Sequence, residues 1–198
     1  MPVFLQKKSE RDMDYAACFE SGLEYGPFLQ KYGTDEQRRR FAAVHAGVHL
    51  TAEQKSLLQS FRREMKLICL AGAWCGDCVN QMPIFDHFAA IAPVIRIRYF
   101  DRDDNPSMHD RLSICGGARV PSVLFLSEDN FPCGLYGDRT LSRYRELASQ
   151  LDGAACSITT STPAVDHLAN WTSDWLQEFE RIQLMLRLSA RLRQKHGD

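Results

Sequence analysis

Trp74-Cys75-Gly76-Asp77-Cys78 holds the residues whose types and spacing could do chemistry, two cysteines separated by two residues just past the apolar run Leu67-Ile68-Cys69-Leu70-Ala71. A short apolar run ahead of a small-residue turn reads as a strand buried on both faces, and the stretch from Cys78 to Ala90 reads as a helix. Two cysteines in a first helical turn can close and reopen a disulfide with little backbone movement. The first sulfur would sit beside unsatisfied backbone N–H groups at the positive end of the helix dipole, which favours thiolate over thiol. Thiolate is the nucleophile of disulfide exchange, so Cys75 is the candidate nucleophile, and Cys78, one turn further in, the candidate resolving thiol. The competing chemistry is half of a zinc site, which needs a second pair of ligands. Cys18, Cys69, Cys115, Cys133 and Cys156 are all isolated, and His45 and His49 lack a metalloprotease glutamate, so redox is the better reading.

The elements that would position this pair follow from periodicity. After the motif helix comes Val94 to Phe100 as a less buried strand, then a polar loop with a short helix over 101–113. A strand at Ser122 to Leu126, a turn at 127–130, a short strand around Cys133 to Tyr136 and a helix from Leu141 to about Leu151 complete the core. The order β-α-β-α-β-β-α predicts two parallel crossovers and a hairpin, hence a central mixed sheet flanked by helices. Ahead of it, residues 10–65 read as a helical extension. Thr34 and Thr51 each precede a Gln by three residues in the capping-box pattern, and Leu57, Leu58, Phe61 and Met65 follow the second at helical spacing. Residues 152–162 read as a linker, and 163–195 as one long helix whose stripe Leu168, Trp171, Trp175, Phe179, Ile182 and Leu186 would bury itself on the body or form a homodimer contact.

Around the motif the chain resembles the thioredoxin superfamily, whose pattern is Trp-Cys-Gly-Pro-Cys at the same strand-to-helix junction. The family's helix-kinking proline, eight residues after the first cysteine, corresponds to Pro83, and its cis-proline before the next core strand to Pro121 after Val120. The resemblance covers residues 66–151 and implies a thioredoxin-like α/β fold. It also implies thiol–disulfide oxidoreductase activity on protein disulfides, in which Val120 and Pro121 dock an extended substrate by backbone pairing. Electrons would come from a separate reductase or a small thiol, with no metal or organic cofactor. Trp74 would shield the site. Two departures stand out: the family's buried acid, six positions before the first motif cysteine, is Cys69, and its motif proline is Asp77. A carboxylate there suits the helix dipole but opposes the Cys75 thiolate, so Asp77 is expected to tune the site and to take over part of the proton transfer. The loss of the buried acid, with the added helices, leaves the alternative of a thioredoxin-fold adaptor or redox-regulated binding module.

Cys115, in the glycine-bearing loop ahead of Pro121, is the one further cysteine placed to be a third redox thiol, the plainer reading being an incidental loop cysteine; the other four read as structural. Arg119, two residues before Pro121, could orient an acidic substrate or sit as an ordinary surface arginine. Composition narrows the classes. With 44% hydrophobic and 25% charged residues the 198-residue chain is neither disordered nor fibrous, and 24 Lys+Arg against 25 Asp+Glu argues against nucleic acid or an anionic membrane as the main partner. Seven cysteines at irregular positions do not form a secreted disulfide framework, and no signal-peptide core or long apolar span is present, so a cytoplasmic chain with mostly reduced thiols is expected.

Overall fold

In a computed structural model that describes residues 13–152 and 165–198, four strands form one sheet in the order β2-β1-β3-β4. β1 (Met65–Ala71) lies at its centre and is buried along its whole length; apart from Lys66, whose ammonium donates to Asn130 at 2.9 Å, it is apolar on both faces. β2 (Ile95–Asp101) runs parallel to β1 with Cys69 beside Tyr99, while β3 (Ser122–Ser127) runs antiparallel to β1 and pairs antiparallel with β4 (Pro132–Gly137). The expected second parallel crossover is therefore absent. A parallel return must carry the chain back along the sheet, ordinarily in a helix. Between β2 and β3 there is only a 3-10 turn at Pro106–Met108, so β3 starts from the end of the sheet at which β2 stops.

The leader is helical: α1 (Tyr15–Ser21), α2 (Tyr25–Tyr32), α3 (Asp35–Gly47) and α4 (Ala52–Gln59). Complete capping boxes open α3 at Thr34 with Gln37, and α4 at Thr51 with Gln54. α4 is shorter than its periodicity suggests. The backbone N–H groups of Arg62 and Arg63 donate to the Gln183 side chain at 3.1 and 2.8 Å, so the chain leaves the helix there and Met65 opens β1. Between α1 and α2, Leu23 exchanges two backbone hydrogen bonds with Tyr99 (3.1 and 2.7 Å) on the outer edge of β2. Phe19, Phe28, Phe41 and Leu58 of the leader join the same apolar cluster as the sheet.

α5 (Gly76–Ile91), the motif helix, is followed after β4 by α6 (Leu141–Asp152). The predicted final helix is two: α7 (Val165–Leu188) and α8 (Ala190–His196), broken at Ser189, whose backbone is extended. The break turns Leu192 into the core and brings Lys195 and His196 to Glu128 and Arg191 to Asp129, so the basic tail is held by acids of the β3–β4 turn. The stripe on α7 is consumed within the chain. Phe179 meets Phe88 and Phe125 edge-on at 5.1 and 5.2 Å, and Trp175 meets Phe85 at 4.5 Å. Most of the linker read at 152–162, and Cys156 with it, lies outside the described residues. Among the described residues no helix is long and apolar enough to cross a membrane.

Candidate active site

Cys75 and Cys78 stand at the N-terminal end of α5, directly beyond the central strand. Between them and β1 the Trp74 ring folds back over Gly72, where a Cβ would lie 2.6 Å from it. Cys75 is the N-cap residue and is half-buried, whereas Cys78 is fully buried. The two thiols diverge accordingly. A hydrogen bond from the Cys78 thiol, opposed by burial and aided by the backbone N–H groups of Cys78 and Asp77, lowers the Cys75 pKa from 9.0 to about 7. Burial first, then the bond to Cys75, raises Cys78 well above the usual thiol range. The Cys75 thiol also reaches the Val120 carbonyl at 3.4 Å, and the Val120–Pro121 peptide is cis.

Beneath the pair, the position of the family's acid is taken by Cys69, fully buried and pushed by burial far above the ordinary thiol range. Its strand partner Tyr99 is likewise buried, with a hydroxyl that finds no hydrogen-bond partner among the described residues. No carboxylate is supplied from β1.

Carboxylates enter from the other side. Asp77 Oδ2 pairs with Arg139 at 2.9 Å and its Oδ1 faces Arg143 at 3.8 Å. Burial raises the Asp77 pKa, and the two guanidinium groups partly offset the rise. Asp138, its side chain only 5% exposed, accepts from the Tyr144 hydroxyl, from Arg139 at 3.2 Å and from Arg119 at 3.4 Å. Burial would raise its pKa, but the bond from Tyr144 and the nearby arginines carry it below the usual carboxylate value. Gln81 ties this network to the core: its amide donates to the Asp138 and Asp77 carbonyls at 2.9 and 3.1 Å, and its oxygen accepts from the Trp175 indole at 2.8 Å. Gly137, at φ 127°, brings β4 against the cis-proline, since a Cβ would fall 2.2 Å from the Pro121 oxygen.

Arg139, Arg143, Asp138, Tyr144 and Gln81 escape the sequence reading. The only hint is the Gly137-Asp138-Arg139 run at the end of a strand, a pattern too common to single out. The network decides the electrostatics of Asp77, whose charge opposes the Cys75 thiolate. In Asp77→Asn that repulsion is lost and Arg139 and Arg143 lose a counter-charge, so both changes favour the thiolate. We expect the Cys75 pKa, read by pH-dependent alkylation, to fall below the parent value of about 7. An unchanged or higher value would show that Asp77 does not tune the sulfur.

Trp74 is 45% exposed and stacks under Arg102 at 4.4 Å, so it forms the rim of the site rather than a closed cover. Arg119 and Val120 lead into Pro121 on the opposite rim. Cys115 is exposed, with φ 52°, in a turn closed by the Ile114–Gly117 bridge. Cys18 and Cys133 are half-buried and Cys69 buried. Among the described residues no group of three His, Cys, Asp or Glu side chains converges as metal ligands would.

Two solved structures support the fold. A protein of unknown function from Pseudomonas aeruginosa, PA1234, matches with a TM-score of 0.68 at 17% identity, over 85% of this chain and 95% of that one. An HIV epitope-scaffold matches with a TM-score of 0.65 at 20% identity, over 84% and 97% of the two chains. Thioredoxin O2 from Arabidopsis thaliana matches at 21% identity over 50% of this chain and 87% of that one, with a TM-score of 0.33. No curated protein matches the chain. Residues 22–150 match the family described as thioredoxin, a span that takes in the motif, the cis-proline, the whole sheet and three of the four leader helices. By that match the chain belongs to the thioredoxin family.

Proposed function

We propose that the protein is a thiol–disulfide oxidoreductase that exchanges disulfides with protein substrates through Cys75 and Cys78. The observation that carries this reading is the split between the two thiols: one is half-exposed with a pKa of about 7, and the other is buried and held protonated beside it. In the reducing direction the Cys75 thiolate attacks a substrate sulfur. The substrate S–S bond breaks, a mixed disulfide forms on Cys75, and the first substrate thiolate leaves and takes up a proton. Cys78 then loses its proton and attacks the Cys75 sulfur, closing the Cys75–Cys78 disulfide and releasing the second substrate thiolate. Two electrons have passed from the protein dithiol to the substrate, and a small thiol or a separate reductase restores the pair.

Val120 has a part in the order of events. Its carbonyl accepts the Cys75 thiol in the resting site. Ionisation of Cys75 removes that donor, so the carbonyl becomes free for a substrate N–H as the nucleophile forms. Trp74 and Pro121 flank the approach, and Asp77 tunes the sulfur. The cytoplasm, where thiols are kept reduced, suits such a pair.

The test is reduction of a model protein disulfide with dithiothreitol as electron source. Parent protein should accelerate it far beyond the free dithiol, and Cys75→Ser should abolish the acceleration. The parent rate should rise with pH through a midpoint near 7, below the value of about 8.5 for an ordinary cysteine. Activity no greater than the free dithiol would favour the adaptor reading instead.

A further inference from the structure

Resting on that exchange reading, we propose that the preferred substrate disulfide carries a carboxylate next to the attacked cysteine, and that Arg119 receives it. Arg119 immediately precedes Val120, whose carbonyl lies 3.4 Å from the Cys75 sulfur, so an extended chain docking at that carbonyl places its flanking side chains at Arg119. The Arg119 side chain is 41% exposed, and its contact with Asp138 uses one terminal nitrogen at 3.4 Å. A guanidinium has five N–H donors in a planar fork that matches a carboxylate, so donors remain for an incoming acid.

The neighbouring charges present the same sign to the substrate. Three arginines and three acids meet here, and their formal charges cancel, but their exposures do not. The acid side chains Asp138, Asp77 and Glu146 are 5%, 15% and 23% exposed, against 41%, 30% and 26% for Arg119, Arg139 and Arg143. The carboxylates of Asp138 and Asp77 lie beneath Arg119 and Arg139, so an approaching chain meets those two guanidinium groups first, while Arg143 and Glu146 are nearly equal in exposure and cancel. On the opposite rim Arg102 pairs with the more exposed Asp103 at 2.8 Å, and the exposed Asp104 follows it, so that side offers no matching excess of donors. Charge selection is therefore one-sided, at the Pro121 rim, where the exposed ring of Tyr144, bonded to Asp138, supplies apolar contact.

Three cystine peptides that differ only in Glu, Gln or Lys beside the attacked cysteine test this, each rate divided by its rate with free dithiothreitol to remove intrinsic reactivity. Parent protein should show kcat/KM falling in the order Glu, Gln, Lys, with about threefold per step at low salt, carried by KM. The preference should shrink in 1 M NaCl, about where the Debye length drops to 3 Å. Arg119→Gln should compress the Glu-to-Lys ratio towards one, and Arg119→Lys should retain part of it. Equal normalised rates in the parent, or a ratio undiminished in Arg119→Gln, overturn the proposal while leaving disulfide exchange standing. If no peptide is reduced faster than by the free dithiol, the exchange reading fails and this one with it.

Discussion

Cys78→Ser is expected to stop turnover and leave the protein covalently joined to its substrate. The first attack needs only Cys75, whose sulfur remains beside the backbone N–H groups of Asp77 and Cys78 at the helix start. The second attack needs a sulfur already in place, one turn into α5 and fully buried. Without it the mixed disulfide is resolved only by thiols from solution. Well-oriented intramolecular reactions have effective molarities of about 10⁵ M and above, so even a poorly aligned Cys78 outruns millimolar reagent by roughly a thousandfold or more. A stable, reductant-sensitive conjugate should therefore appear on a non-reducing gel, and Cys75→Ser should form none. In Cys78→Ala the bond that does most to lower the Cys75 pKa is lost altogether, so Cys75 should titrate above its parent value of about 7, which mass-resolved alkylation can read separately. Conjugates that form on Cys78 in the Cys75→Ser protein would reverse the assignment of nucleophile and resolver.

The second large effect concerns Trp175. Its side chain is fully buried, packs edge-on with Phe85 at 4.5 Å and Tyr136 at 4.8 Å, and donates to Gln81. Truncating a buried aromatic to alanine costs about 3–5 kcal/mol, and here it also orphans the Gln81 oxygen. In a chain of this size each kcal/mol moves the melting temperature by about 2–4 °C, so Trp175→Ala should melt roughly 10 °C lower. Trp175→Phe keeps most of the packing and loses the hydrogen bond, and should fall much less. The two variants also separate stability from chemistry. Gln81 braces Asp138 and Asp77, so both should alter the Cys75 titration, in the phenylalanine variant without a large loss of stability. Melting of the alanine variant no lower than the phenylalanine one would show that the packing is not what holds α7 to α5.

What was legible in the chain had local causes. The capping boxes at Thr34 and Thr51, the strand runs at Leu67 and Ser122, and the strand-to-helix setting of Cys75 and Cys78 are written in neighbouring residues, and the structure has each of them. Three features escaped because their causes are distant. α4 stops where Gln183, more than a hundred residues later, takes the N–H groups of Arg62 and Arg63. The direction of β3 depends on which end of the sheet the preceding loop occupies, which no periodicity reports. The Asp77–Arg139–Asp138 network joins α5 to the segment after β4, so its members look like ordinary surface charges until the strands pair.

The contact of Leu23 with Tyr99 bears on solubility. β2 is an outermost strand, and such a strand offers free backbone groups to any extended chain, the usual start of sheet-to-sheet aggregation. Leu23 occupies both groups of Tyr99, Arg98 covers the Ile97 carbonyl at 3.1 Å, and Glu24 holds Arg98 at 3.2 Å. Phe19 of α1 lies beneath Arg96 and Arg98 at 5.3 and 5.2 Å, fixing their charged heads along the same margin. The leader thus guards this one margin, closing β2 to strand addition while the reactive end of the sheet stays open.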